Sequence, residues 1–262
     1  MLRCITNVTA ETAGRYPITV LLLHAFPLSA AMWQPQIEAL EKAGYGVIAP
    51  HAYGIEGSPE IAEWNFTDYA VELAQLLESL HIASVTVVGL SMGGYQAFEF
   101  YRLYSNKVKS LVLCDTRAEA DAPAARATRE EFMKAVASTG SAEAIRRMVP
   151  NYFSPAAYGA NSTLVAQVEA IINKQSPEVI NAAMRAIMLR ADATPLLGSI
   201  SCPTLILNGE EDSMTTKETA ATIQAGINGS TLQLIAGAGH IANLEQPELF
   251  NQALLEHLSL LQ

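Results

Sequence analysis

Gly89-Leu90-Ser91-Met92-Gly93-Gly94 follows a β-branched run at 84–88, Ser-Val-Thr-Val-Val, and opens a segment of helical period at 92–104. Glycines flank the serine in the spacing Gly-x-Ser-x-Gly, between a predicted strand and a predicted helix. The spacing answers a steric demand. The turn is so sharp that residues two before and two after the serine press on neighbouring backbone, and Gly89 and Gly93 fit there. Such a turn lifts the Ser91 hydroxyl clear of a sheet edge. It also places the hydroxyl over a helix N-terminus, which favours developing negative charge. The plain alternative is a glycine-rich turn with an idle serine, and the strand–turn–helix context weighs against it.

Outward from this turn, short apolar runs alternate with amphipathic stretches. Strands are predicted at 18–23, 46–49, 84–88, 110–114, 204–207 and 231–235, and helices at 32–43, 67–80, 92–104, 216–227 and 247–260. Thr67 reads as a helix N-cap, and Pro247 stands where a first helical turn tolerates proline. The strand runs are continuous rather than alternating, as in strands covered on both faces. Strand–helix alternation predicts a mostly parallel sheet flanked by helices. Residues 2–10 are a candidate antiparallel edge strand.

The stretch 117–197 breaks the rhythm. It contains no convincing strand, but helical periods at 128–138, 141–149, 164–173 and 177–191, punctuated by Pro150, Pro155 and Pro177. An ordinary crossover needs only about a dozen residues. This length predicts a helical cap, 117–197, inserted into a core built from 1–116 and 198–262. The cap is expected over the carboxyl edge of the sheet, where open α/β sheets bind ligands.

A serine hydroxyl needs a base to act as nucleophile. Of five histidines, His81 follows a helix and His257 lies in the last helix, and both read as solvated or capping. His240, in Gly237-Ala-Gly-His240 just past the last predicted strand, is the candidate base. The imidazole in turn needs an acid that fixes its tautomer. Asp212, in Asn208-Gly-Glu-Glu-Asp212 after the strand at 204–207, is preferred. Glu210, Glu211 and Asp115 are its rivals. The order Ser91, Asp212, His240 is the order of one hydrolase architecture and differs from that of two protease folds.

Composition bounds the remaining possibilities. Half of the 262 residues are hydrophobic, 16% are charged and the net charge is −10. That excludes disorder and makes nucleic acid a poor partner. The three cysteines, Cys4, Cys114 and Cys202, are widely spaced, so neither a disulfide framework nor a zinc site is expected, and a reducing compartment fits. Residues 1–16 lack the pattern of a signal peptide, and no apolar run approaches the roughly 18 residues of a membrane helix. A cytoplasmic protein without a membrane partner is expected.

The chain resembles the α/β-hydrolase superfamily, specifically its capped serine hydrolases, which include carboxylesterases, enol-lactonases, carbon–carbon bond hydrolases and cofactor-free haloperoxidases. The likeness spans almost the whole length. It rests on Leu22-Leu-His24-Ala-Phe26-Pro27, on 89–94, on 203–212, and on Gly239-His240 followed by Glu245-Gln-Pro247. The resemblance implies an α/β-hydrolase fold with an eight-stranded sheet, no metal or organic cofactor, and an oxyanion hole from the backbone N–H groups of Met92 and Phe26. It also gives His24 a structural role in holding the loop that carries Phe26. Two positions depart from the family pattern. Ala25 stands where glycine is usual, which implies strain if that position needs φ > 0. His51 stands where the family tends to carry an acid, and reads as structural or surface.

Trp33, Phe132, Tyr152, Phe153, Met184 and Met188 are candidate pocket-lining residues, with core packing as the plainer role for each. Arg190 is placed on the last cap helix, where it would meet a substrate carboxylate, pair with Asp192 or face solvent. The expected activity is cleavage of a small carboxylic ester or lactone through an acyl-enzyme. The same residues would serve a carbon–carbon bond hydrolase or a perhydrolase, and a non-catalytic receptor on this scaffold is the alternative from another class.

Overall fold

The computed structural model describes residues 1–261. Seven strands form one sheet in the order β1-β3-β2-β4-β5-β6-β7. They are β1 (Cys4–Thr6), β2 (Thr19–Leu23), β3 (Gly46–Pro50), β4 (Val85–Leu90), β5 (Val108–Cys114), β6 (Thr204–Gly209) and β7 (Thr231–Ile235). The resemblance implied eight strands; the described residues form seven, because only one short strand precedes β2. β1 pairs antiparallel with β3, as Cys4 opposite Pro50 shows, and every other pairing is parallel.

Every residue of β2, β3, β4 and β6 is buried, the packing that continuous apolar strands require. Full burial of each Val, Leu or Ile side chain there contributes about 1.5–3 kcal/mol. β7 closes one edge and is largely exposed.

The helices are α1 (Gln34–Lys42), α2 (Phe66–Ser79), α3 (Met92–Tyr104), α4 (Pro123–Thr139), α5 (Ser141–Tyr152), α6 (Pro155–Ala160), α7 (Ser162–Asn173), α8 (Pro177–Met188), α9 (Thr194–Leu197), α10 (Lys217–Gly226), α11 (Ala242–Glu245) and α12 (Pro247–Ser259). The N-cap of α2 is Asn65 rather than Thr67. Asn65 Oδ1 accepts the Asp68 N–H at 2.9 Å and Asp68 Oδ2 accepts the Asn65 N–H at 3.2 Å. This reciprocal capping box satisfies two orphan donors, whereas the Thr67 hydroxyl turns to Glu99. Met32 lies in a short 3-10 turn, Ala30–Trp33, ahead of α1.

Between β5 and β6 the chain is helical throughout, α4 to α9, with no strand among these residues. α4 packs on α8 and on α5, and α5 on α7. α8 stops at Met188, so Arg190 lies just beyond that helix rather than on it. None of the described helices is long and apolar enough to cross a membrane.

Candidate active site

Ser91 sits at the end of β4 with φ 54° and ψ −111°, a conformation that costs a non-glycine residue roughly 1–3 kcal/mol. The surroundings hold it there. The Ser91 N–H donates to the Cys114 carbonyl at 2.9 Å, and the Thr116 hydroxyl donates to the Ser91 carbonyl at 2.8 Å. A methyl group at Gly89 would collide with the Gly93 carbonyl, and one at Gly93 with the Leu23 carbonyl. Only glycine lets α3 turn back this tightly against β4 and β2. Ser91 remains half-buried.

His240 follows β7 and reaches across to the serine. Its Nε2 lies 2.8 Å from Ser91 Oγ, and its Nδ1 lies 2.9 Å from Asp212 Oδ2. A carboxylate only accepts, so Nδ1 carries the proton and Nε2 is free to accept from the serine hydroxyl. Asp212 is anchored by its own loop. Its Oδ1 accepts the Met214 and Thr215 N–H groups at 2.7 and 3.0 Å, and its Oδ2 accepts the Thr215 hydroxyl. Burial alone would raise its pKa, but the His240 ring and these hydrogen bonds outweigh burial and hold the carboxyl below its usual range.

The rivals fall elsewhere. Glu210 and Glu211 are exposed. Asp115 is fully buried after β5, with φ 43°, and its Oδ1 accepts the Gly209 N–H at 2.7 Å. Burial first, then the neighbouring Asp212 charge, pushes its pKa well above the carboxylate range. Asp115 is therefore the harder of the two carboxyls to ionise, and it makes no contact with His240.

The Phe26 N–H belongs to the loop after β2, and the Met92 N–H opens α3 directly after Ser91. His24 ties the Phe26 loop down. Its Nδ1–H donates to the Ala25 carbonyl at 2.9 Å and its Nε2 accepts the Ala52 N–H at 3.0 Å. Burial drives its pKa from 6.5 down to about 4. Ala25 does not have a positive φ, so the expected strain is absent. His51 is buried and its Nδ1 accepts the Ala30 N–H at 3.2 Å. His257 is neither solvated nor capping; it is buried, with Nε2 2.6 Å from Ser110 Oγ under the sheet.

The candidate lining residues divide. Phe26 meets Phe132 edge-on with centroids 6.1 Å apart, and Tyr152 stacks on His240. Trp33 packs instead on Phe250 of α12, inside the core. Phe153 faces Tyr158, while Met184 lies beside Arg129 between α4 and α8 and Met188 is buried at the end of α8. Arg190 neither pairs with Asp192 nor faces solvent. Its Nη1 donates to Asp121 Oδ1 at 2.8 Å and its Nη2 to the Glu119 carbonyl at 2.7 Å, while its Cζ lies 4.3 Å from the centre of the Tyr95 ring. A cavity of about 410 Å³ opens beside it, between α2, α3 and the segment after α8. Its walls include Phe66, Tyr95, Arg117 and Leu189, but none of Ser91, Asp212 or His240.

Thr116, Thr215 and Glu245 also support the site, through bonds to Ser91, to Asp212 and to the Gly239 N–H. Thr215 had a signal, since an Asp followed by a hydroxyl residue three positions on favours such a turn. Among the described residues no group of three His, Cys, Asp or Glu side chains gathers as a metal ion would need.

Residues 18–247 match the family described as alpha/beta hydrolase fold. The chain is 30% identical to 3-oxoadipate enol-lactonase 1 of Acinetobacter baylyi over 84% of its own length and 81% of that protein. A thermophilic esterase from Thermogutta terrifontis, solved with malate bound, superposes with a TM-score of 0.93 at 32% identity, covering 99% of this chain and 93% of that one. A bromoperoxidase from Bacillus anthracis superposes with a TM-score of 0.83 at 26% identity, covering 92% of each. A buried turn that only glycines allow, the run of seven strands around it and the match over most of the length lead to one conclusion: this chain belongs to the α/β hydrolase fold family.

Proposed function

We propose that the protein is a serine hydrolase that cleaves a small, uncharged carboxylic ester or lactone. The observation that carries this reading is the continuous hydrogen-bonded line Ser91 Oγ–His240 Nε2, 2.8 Å, and His240 Nδ1–Asp212 Oδ2, 2.9 Å. In this reading His240 removes the Ser91 proton as Oγ attacks the substrate carbonyl. The oxyanion is held by the Met92 and Phe26 N–H groups, and the Asp212 carboxylate stabilises the imidazolium. His240 then protonates the leaving alkoxide as the carbon–oxygen bond breaks. Water, deprotonated by His240, releases the acid from Ser91. One oxyanion donor of this kind is worth about 10²–10³ in rate.

The proposal of an uncharged substrate rests on Arg190, the one basic side chain that the sequence offers for a substrate carboxylate. With its guanidinium engaged by Asp121 and stacked on Tyr95, it offers no anchor to a substrate carboxylate. A short-chain chromogenic ester tests the reading. A pre-steady-state burst of alcohol, stoichiometric with enzyme, is expected. Saturable binding of the ester without product would instead mark a receptor.

A further inference from the structure

The end of α5 joins the two loops on which the proposed chemistry depends. Tyr152 is fully buried, and its hydroxyl donates to the Phe26 carbonyl. Its ring runs nearly parallel to that of His240, with centroids 6.0 Å apart and 19° between the planes. Its own carbonyl accepts the Ile241 N–H at 3.1 Å. Glu245 reinforces the junction. Its Oε2 accepts both the N–H and the hydroxyl of Ser154 at 2.9 Å, and its Oε1 accepts the Gly239 N–H at 2.6 Å. One short segment, 152–154, thus grips the loop after β2 and the loop after β7.

The geometry has a chemical consequence. A buried tyrosine hydroxyl requires a partner, and here the partner is a backbone carbonyl whose residue carries an oxyanion donor. The Phe26 carbonyl and the Phe26 N–H lie in the two peptide planes joined at the Phe26 Cα, so holding the carbonyl anchors the residue from which the donor N–H projects and limits its drift. The near-parallel ring is part of the packing that buries the imidazole and limits the room it has to tilt. Oxyanion donors act only when aimed at the position the developing charge will occupy, so a small drift of this loop carries a large kinetic effect.

We propose that Tyr152 is a positioning residue for the reaction: its hydroxyl fixes the Phe26 donor while its ring fixes the His240 base, so the inserted helices complete the machinery they cover. The proposal rests on the reading of Ser91 and His240 given above. The test is Tyr152→Phe, which keeps the ring and removes the hydroxyl, with rates normalised to sites titrated by a fluorophosphonate and read well below the melting temperature. The expected result is a fall in kcat of about 10-fold, a fraction of the loss seen when an oxyanion donor is deleted, with KM within about twofold. Affinity for a trifluoromethyl ketone, whose adduct carries the oxyanion, should fall by the same factor. Binding of the uncleaved ester in the Ser91→Ala background should not change with Tyr152→Phe. Tyr152→Leu, which also removes the stack, should lose more. Unchanged kcat and ketone affinity in Tyr152→Phe, whether or not the melting temperature drops, overturns the proposal. Failure of the wild-type enzyme to react with the fluorophosphonate at Ser91 instead overturns the reading beneath it.

Discussion

Asp212 meets His240 Nδ1 at 2.9 Å, while Asp115, one strand away, turns its Oδ1 to the Gly209 N–H. The two carboxyls share a neighbourhood and differ in how readily they ionise. Asp212 is held ionised by the imidazole and by three further hydrogen bonds, from the Met214 and Thr215 N–H groups and the Thr215 hydroxyl, while burial and the Asp212 charge oppose ionisation of Asp115. Replacing Asp212 with Asn should cut kcat by about 10⁴, because the amide favours the wrong imidazole tautomer. Asp115→Asn keeps an oxygen to accept the Gly209 N–H and touches no bond of His240, so it should leave kcat within a few-fold. Steady-state rates on one ester check both, and a reversed ranking contradicts the assignment of the acid.

His24 makes stability depend on pH. Its pKa falls from 6.5 to about 4 on folding, so between these values the unfolded chain binds a proton that the folded chain refuses. Stability is therefore lost as pH drops through this window, by about 3 kcal/mol from this residue alone. His51 and His257 are shifted down by burial in the same sense. Urea unfolding at pH 7 and pH 4.5 should show a smaller pH dependence for His24→Gln than for the wild type. Equal dependence would mean that His24 is not the buried neutral base the geometry requires.

The glycines differ in what they permit. At Gly93 a methyl group meets the Leu23 backbone, which has no route of escape, whereas at Gly159, in α6, nothing lies within 4 Å. Gly93→Ala should destabilise by about 3 kcal/mol or more, or fail to give soluble protein, and should abolish turnover in any folded fraction. Gly159→Ala should be neutral or stabilising by up to about 1 kcal/mol through helix propensity. Melting temperatures of the two variants provide the comparison.

Arg190 and Asp121 form an ion pair whose side chains are 4% and 2% exposed, with Arg129 as a third member. Removing one partner leaves a buried charge short of compensation. Asp121→Ala should destabilise by about 3–5 kcal/mol, and adding Arg190→Met should recover part of that loss. Arg190→Met alone should lower kcat/KM for neutral and carboxylate-bearing esters in equal proportion. A selective loss on the carboxylate esters would show that Arg190 binds substrate and would contradict the uncharged-substrate proposal.

Much of this was legible in residues 89–94 and 240, because a steric demand at a sharp turn leaves a local pattern that no later packing rewrites. The strand runs were equally plain, since full burial on both faces allows only continuous apolar sequence. What depends on distant neighbours was not legible. His257 in a helix gives no sign that Ser110 lies beneath it. Asp115 and Asp212 both follow strands, and only the reach of the loop after β7 separates them. Arg190 looked available until Asp121, 69 positions earlier, came to meet it. Tyr152 could be named as a cap aromatic, but its bond to Phe26 spans 126 positions.

The central claim is that Ser91 is the nucleophile. Treating the native enzyme with a fluorophosphonate and mapping the adduct by peptide mass spectrometry tests it directly. The account predicts one adduct per chain, on Ser91, with loss of ester turnover in step, and none in Ser91→Ala. An adduct on another residue, or turnover that survives in Ser91→Ala, would contradict it.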